Sequence, residues 1–459
     1  MTENTLEGLR INQFGFETVK ATGTLTLATQ PTAADTMTIG TKVYTWKASG
    51  AAADGELNVG ADLAAAKLNA VAAINGTDSI NDPHPDVSAS AFSVNVSTLT
   101  ARRGGTLANA IALTETFTDA GNVFNAVLLG GTTAGSFARG TAVASTSKIA
   151  IEKLDWDDAD ENIYRPQFAN GLLMRNRGHA TAVQHGTGFS CSDQPMVWEQ
   201  LMHWLSMAVT GLPTVEFVSG SPDVYRWTFT RNPITNPQPN AATIQRRFTN
   251  GTDVIDQRAA YAMIKDLTLK YAQNEVVKLS LNGFARKFET STITAALSLP
   301  TTELGVSALS TVYVNDSWAT VGDTLLAEQV VGWELAIGTG LMPLMTAEGR
   351  TSLDFTKHQI DAHNVTLGLK LTCLLDPTSY ATESAAAAAG TMRAIRIKVA
   401  GSGGRLLTLD GLFQYTKPAL FKIGEQDGGD IVDIELEEAT DQTNFFSVIL
   451  EHPTVNSLA

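Results

Sequence analysis

The 459-residue sequence predicts a mainly β protein: two β-sandwich domains in tandem, each with a flanking helix, plus a small inserted α+β domain. Three observations lead there. A spaced string, Ala180-x-x-Val183-x-x-Gly186-x-x-x-Ser190-Cys191-x-x-x-Pro195, returns 182 residues later as Ala362-x-x-Val365-x-x-Gly368-x-x-x-Thr372-Cys373-x-x-x-Pro377. Duplication of this kind fixes the architecture before any single element does. Apolar and polar residues alternate through much of both copies, the period of half-buried strands. Charged residues make up only 17% of the chain while Thr, Ala and Gly abound, which points to a globular, β-rich fold.

Along the chain, the first repeat runs from near Ile149 to about Phe288. Its strand through Ser190 leads into a helix for which Pro195 suits the first turn, Asp193 or Gln194 the cap and Gly211 the end. Val197, Leu201, Trp204, Leu205 and Ala208 give that helix one buried face. Three alternating strands follow, carrying Tyr225, Trp227 and Phe229, then Leu267, Leu269 and Tyr271, then Val277, Leu279 and Leu281. The second repeat, from roughly Val330 to Pro453, has the same order. Val365, Leu367, Leu369 and Leu371 form its strand, Asp376-Pro377 opens an Ala-rich helix, and Gly390 closes it. Its later strands carry Ile395, Ile397 and Val399, then Val432, Ile434 and Leu436, then Phe446, Val448 and Leu450.

Between Thr22 and about Ser136 the texture changes. Leu63, Ala66, Ala70 and Ile74 mark a short amphipathic helix, and Phe92, Val94 and Val96 alternate as a strand. Gly23 and Gly130-Gly131-Thr132-Thr133-Ala134-Gly135 are joints of the kind that let a domain hang from a surface loop. The resulting division is 1–20 with 138–300 for the first sandwich, 21–137 for the insert and 301–459 for the second sandwich.

The net charge of −15 speaks against a sequence-independent grip on nucleic acid, which needs a basic surface to displace counterions. No apolar run is long enough to cross a bilayer, and Met1-Thr2-Glu3 does not begin a secretory signal. Cys191 and Cys373 occupy matching places in two cores and read as small buried residues, not as a disulfide. The carboxylate cluster Asp155 to Glu161 lacks the glycine and terminal glutamate of a calcium loop, so it reads as a solvated turn or partner-facing patch. His179 and His185 share a strand face about 20 Å apart, too far for one zinc ion. Gly401-Ser402-Gly403-Gly404-Arg405 has no Lys-Ser/Thr ending and precedes a strand, so it reads as a hairpin turn. There is no Gly-x-Ser-x-Gly nucleophile elbow. No catalytic residue, cofactor or metal is therefore assigned.

Removing the insert would place Gln13-Phe14-Gly15-Phe16-Glu17-Thr18 beside Arg139-Gly140-Thr141-Ala142-Val143-Ala144-Ser145-Thr146. The rejoined segment resembles the N-terminal Gly-x-Glu…Gly-Thr-Ala-Val-Ala signature of tail tube (major tail) proteins of long-tailed bacteriophages. The acidic segment from Asp155 to Arg165-Pro166 and the strand-helix order that follows extend the resemblance over residues 1–20 and roughly 138–455. The insert is similar to a Thr/Gly-rich module of phage structural proteins through Thr24-Leu25-Thr26, Thr38 to Trp46 and Ala70 to Gly76. The resemblance implies a virion structural protein, made and assembled in the host cytoplasm and located in the virion tail. Its partners would be itself, as a homotrimeric ring of pseudo-sixfold symmetry stacked into a tube, and other phage tail proteins. Genome DNA would pass through without specific binding, and the insert would sit outside. The N-terminal arm or the loop Asn232 to Pro239 would bridge successive rings. A capsid decoration or baseplate protein, or a carbohydrate-binding adhesin, are the other classes this composition allows.

One feature bears on such a channel. Asp433, Glu435 and Glu437 share one strand face while Val432, Ile434 and Leu436 share the other. That pattern fits a lumen-facing wall that repels phosphates, and equally an ordinary solvated face. The first-repeat positions paired with it from sequence, around Thr268 and Lys270, are not acidic.

Overall fold

The computed structural model describes residues 9–454 except 152–153, 159–160, 163–166, 169–175, 178–182, 185–186, 221, 232–238, 250–253, 274, 300–301, 306–309, 327–328, 345–351, 354–356, 375–376, 417–421, 427–428, 440 and 442. His179, His185, Asp160, the arm over residues 1–8 and most of the Pro-rich loop lie outside these. Strands hold 52% of residues and helices 12%, so the chain is mainly β, as its alternating sequence predicts.

The first repeat contributes β1 (Leu9–Phe16), β2 (Asp155–Asp158), β3 (Thr187–Pro195), β4 (Thr214–Val218), β5 (Val224–Thr230), β6 (Ala242–Thr249), β7 (Val254–Ala272) and β8 (Lys278–Ala285). The second contributes β9 (Ser310–Asn315), β10 (Val330–Leu344), β11 (Lys357–Leu374), β12 (Arg393–Ala400), β13 (Leu406–Tyr415), β14 (Lys422–Gln426), β15 (Gly429–Glu438) and β16 (Ser447–His452). Antiparallel pairing assembles eight of them in the order β2-β3-β8-β7-β10-β11-β15-β14. The order is two copies of one four-strand unit, β2-β3-β8-β7 and β10-β11-β15-β14, joined where β7 meets β10. At that join Tyr271 stacks on Trp333 with ring centroids 6.0 Å apart.

A second layer runs β4-β5-β16-β13-β12-β9, continuous with the first where Phe413–Tyr415 of β13 also pair with β15, and it too crosses between the repeats, at β5 and β16. Because strand residues alternate in direction, each sheet presents one apolar face. Phe189, Cys191, Leu267, Leu281, Ile337, Leu369 and Ile434 of the first sheet share a single hydrophobic cluster with Trp227, Phe229, Ile397, Leu409 and Val448 of the second. Burying each such side chain is worth roughly 1.5–3 kcal/mol, so one core holds both repeats together.

The two repeat helices differ. α2 (Trp198–Ala208) is buried along its whole length, all eleven residues, whereas the sequence pattern predicts one buried face. The residues that read as a wet face have internal partners instead. Gln200 donates to the Lys148 carbonyl at 2.6 Å and accepts from the Ala150 N–H at 3.0 Å. Ser206 donates to the His203 carbonyl. The start of α2 also differs from expectation. Asp193 takes a left-handed φ of 50° in a bulge and its N–H bonds Ser280 Oγ, so β3 continues through Pro195 and no side chain caps the helix. The Trp198 N–H finds the Glu303 carbonyl at 3.0 Å. By contrast α3 (Pro377–Ala389) begins at its proline and closes at Gly390, φ 66°, and Ala387 is the residue it buries among those described.

The insert has its own core, with Leu25, Ile39, Tyr44, Trp46 and Leu99 at its centre. Its helix α1 (Leu63–Asn75) is capped by Asp62, whose carboxylate accepts from the Ala65 N–H, and ends at Gly76. The strand expected at Phe92–Val96 is a correction. Ser93 and Val96 exchange backbone hydrogen bonds around a tight turn, Val94 has φ 55° and is 86% exposed, and the strand proper is Val96–Gly104. From Val96 to Ala101 its buried positions are Ser97, Leu99 and Ala101, the opposite phase.

The two ends of the insert return to one place. The Ala138 N–H donates to the Glu17 carbonyl at 2.8 Å, the Thr146 N–H to the Phe14 carbonyl at 2.9 Å, and β1 pairs with Ser147–Lys148. A Cβ on Gly15 would lie 2.4 Å from the Ala144 carbonyl oxygen, so the two segments of the rejoined signature touch at a glycine.

Candidate functional site

Asp433, Glu435 and Glu437 lie on the face of the eight-strand sheet turned away from the core. Alternation along β15 is complete: Val432, Ile434 and Leu436 are buried, Asp433 is half-buried, and Glu435 and Glu437 are exposed. The three carboxylates are not equivalent. Asp433 accepts a hydrogen bond from Thr372 Oγ1 at 2.8 Å and pairs with Lys370 Nζ at 2.9 Å. Lys370 stands in register with Glu435, and Gly368 with Glu437.

The first-repeat counterpart of β15 is β8, and not the strand that holds Thr268 and Lys270. Cys191 is in register with Leu281 as Cys373 is with Val432, which sets Asn282 in the place of Asp433. Thr268 and Lys270 belong to β7, the counterpart of β14, yet they share the same polar face. Register builds rows across it. One row runs Lys278, Lys270, Glu334, Lys370, Glu435; the next runs Ser280, Thr268, Ala336, Gly368, Glu437; a third runs Asp155, Ser190, Asn282, Asp266, Gly338, Thr366.

The first row is charged throughout, with Lys270 beside Lys278, while small and hydroxyl residues fill most of the second. By register the face carries Asp155, Asp157, Asp266, Glu334, Asp433, Glu435 and Glu437 together with Lys270, Lys278, Lys370 and, opposite Asp433, Lys422. Charges this close act together, since screening at physiological salt takes hold only beyond about 8 Å. Its carboxylates outnumber its lysines, a balance that disfavours a polyanion.

The sequence signal that matched the two units most directly was missed. Register places Trp156-Asp157 of β2 and Trp333-Glu334 of β10 in the same position, because each pairs with the strand that carries the repeated cysteine. The offset here is 177 residues, not 182, so a fixed-offset comparison passes over it.

Other polar groups are structural. Glu199, on α2, pairs with Arg405 at 3.0 Å and lies 3.7 Å from His452, while Arg405 also pairs with Glu303 at 2.9 Å. Burial by itself would raise the Glu199 carboxyl, but the neighbouring His452 ring and hydrogen bonds from the Glu303 N–H and Arg405 hold it down at about 2. Glu17, fully buried, accepts from the Tyr261 N–H at 2.7 Å, from Thr243 Oγ1 at 2.9 Å and from the Gly140 N–H. Tyr261 has φ 59° at a bulge in β7, so Glu17 fixes a strained backbone and the insert seam together.

Cys191, Cys373 and His203 are buried. Burial pushes the Cys191 thiol up to about 11 and Cys373 up to about 12, and lowers His203 to about 4. Both cysteines are free. Among the described residues no three His, Cys, Asp or Glu side chains are placed to hold a metal ion. Gly401–Arg405 turns between β12 and β13, with Gly403 and Gly404 at positive φ. No helix among the described residues is long and apolar enough to cross a membrane. A scan against protein-family models matches no family, and a search of the curated proteins finds no match.

Proposed function

We propose that this chain is a virion structural protein, the tail tube subunit of a long-tailed bacteriophage, working by self-assembly and not by catalysis. The observation that carries the reading is the face, richer in carboxylates than in lysines, spread over eight strands of two like units. Curved into a channel wall, that face would let DNA slide outward during ejection. The closed seam at Glu17 and Gly140 supports the resemblance, since residues from its two halves are in contact. The insert touches the other sheet, with Arg102 over the Tyr225 ring of β5 at 5.2 Å. In this reading the subunit belongs in the virion tail after assembly in the host cytoplasm, with copies of itself and other tail proteins as partners.

Negative-stain electron microscopy of the purified chain tests the assembly, and hollow rings or tubes are expected. Discrete monomers that bind glycans would favour an adhesin instead. The charge argument is tested separately by replacing Asp433, Glu435 and Glu437 with Lys. Tubes should still form and genome ejection should slow, whereas normal ejection removes the repulsive role of this face.

A further inference from the structure

The insert shows an apolar surface that its own core does not use. Its helix α1 buries Ala66, Ala70, Ala73 and Ile74. The opposite face, where a surface helix ordinarily turns charged residues to water, holds Ala64, Leu68, Val71 and Ala72 instead. Leu68 is 71% exposed. An open groove lies between this face and the turn that carries Phe92 and Val94.

Among the described residues Val94 is the only β-branched one at positive φ, a backbone conformation that strains such a side chain. At 86% exposure it offsets little of that strain by burial within the insert. The turn is nevertheless fixed. Lys67 Nζ donates to the Val94 carbonyl at 2.6 Å and to Asn95 Oδ1 at 2.7 Å, and Ser93 and Val96 exchange backbone hydrogen bonds. A strained, fixed and exposed apolar residue beside an apolar groove marks a contact surface.

Charge selects the occupant. Lys67 is the one cation that lines the groove, and its ammonium is committed to the turn. Asp62 stands at the start of α1 and Asp78 just past its end, and both carboxylates accept from uncharged donors. Residues 21–137 as a whole hold nine Asp and Glu against five Lys and Arg. We infer that the groove docks an apolar segment of another protein, flanked by Lys or Arg. Its apolar side chains cover Leu68, Val71 and Val94, and its cations meet Asp62 and Asp78. The same acidity disfavours an anionic lipid surface. The groove lies wholly within the insert, so this contact stands independently of the tube reading.

Fluorescence anisotropy of a labelled amphipathic Leu/Lys peptide, titrated with the full chain, tests the contact. Saturable binding is expected. Leu68→Gln and Val94→Gly should each weaken it at least about tenfold, as should exchanging every Lys of the peptide for Glu. Val127→Gln, which removes a similarly exposed apolar side chain outside the groove, should leave it unchanged. Glycine adopts the φ of residue 94 without strain, so Val94→Gly should melt no lower than wild type. A lower melting temperature would assign Val94 to the fold and overturn the inference. Absence of binding, or equal affinity across the variants or for the Leu/Glu peptide, overturns it too. Phosphatidylglycerol vesicles bound by wild type and lost in Leu68→Gln would overturn it in favour of a membrane surface.

Discussion

Replacing Glu199 with Gln should destabilise the whole body of the protein while leaving its shape unchanged. The side chain is 7% exposed and sits where α2 of the first repeat meets Arg405 and His452 of the second. Its carboxyl is held at about 2 against an ordinary value of 4.5. At 1.36 kcal/mol per unit, the charged form contributes about 3 kcal/mol to folding. The folded value lies below the unfolded one, so this contribution is complete above about pH 4.5 and fades as the pH falls toward 2. Gln keeps the volume and can still accept a bond from the Glu303 N–H, but it leaves Arg405 with Glu303 alone as its carboxylate partner. Urea unfolding at pH 7 should show the variant about 3 kcal/mol less stable, and the gap should close at about pH 2. A difference below about 1 kcal/mol at pH 7, or one that persists unchanged in acid, would refute the reasoning.

A second acid-sensitive group works in a higher window. His203 is buried against Phe14 and Phe16 and its folded value of about 4 lies below the usual 6.5, so wild-type stability should drop by about 3 kcal/mol as the pH falls from 6.5 to 4. His203→Phe should lack that slope in the same titration. Glu17→Ala leaves the buried donors of Tyr261 and Thr243 without their acceptor, at roughly 1–3 kcal/mol each, and the part-buried Gly140 N–H as well, and equilibrium unfolding should find Glu17→Gln much milder. Native protein at pH 8 should resist thiol labelling at Cys191 and Cys373, and denaturant should release both; labelling of folded chain would contradict their burial.

Much of the architecture is legible in the sequence because periodicity and punctuation act locally. The repeated cysteine strings mark equivalent strands, Pro377 and Gly390 bound α3, and the alternation at Val432–Glu437 gives the correct faces of β15. What was not legible depends on tertiary partners. Glu199, Gln200 and Ser206 look like a solvent face until Arg405, Lys148 and His203 supply their bonds. Asp433 looks like its neighbours Glu435 and Glu437, but Thr372 and Lys370 reach it from the adjacent strand. The turn at Val94 puts a β-branched residue at positive φ, against its local preference, so alternation alone misplaced the strand. The acidic positions were matched to the wrong first-repeat strand because the last two strands of each unit lie side by side in reversed order from the chain.

The ladder between β5 and β16 also constrains how the protein is made. β5 is complete once residue 230 is synthesised, yet its neighbour at 447–452 follows more than two hundred residues later. At ordinary translation speeds that wait is roughly 10–40 s. Throughout it, the first repeat on the ribosome has its apolar sheet face and α2 only partly covered, while the insert, whose core is drawn wholly from residues 21–129, can already be folded. The newborn chain is thus a finished small domain tethered to an unfinished sandwich, and the last strand to emerge is the one that commits the rest.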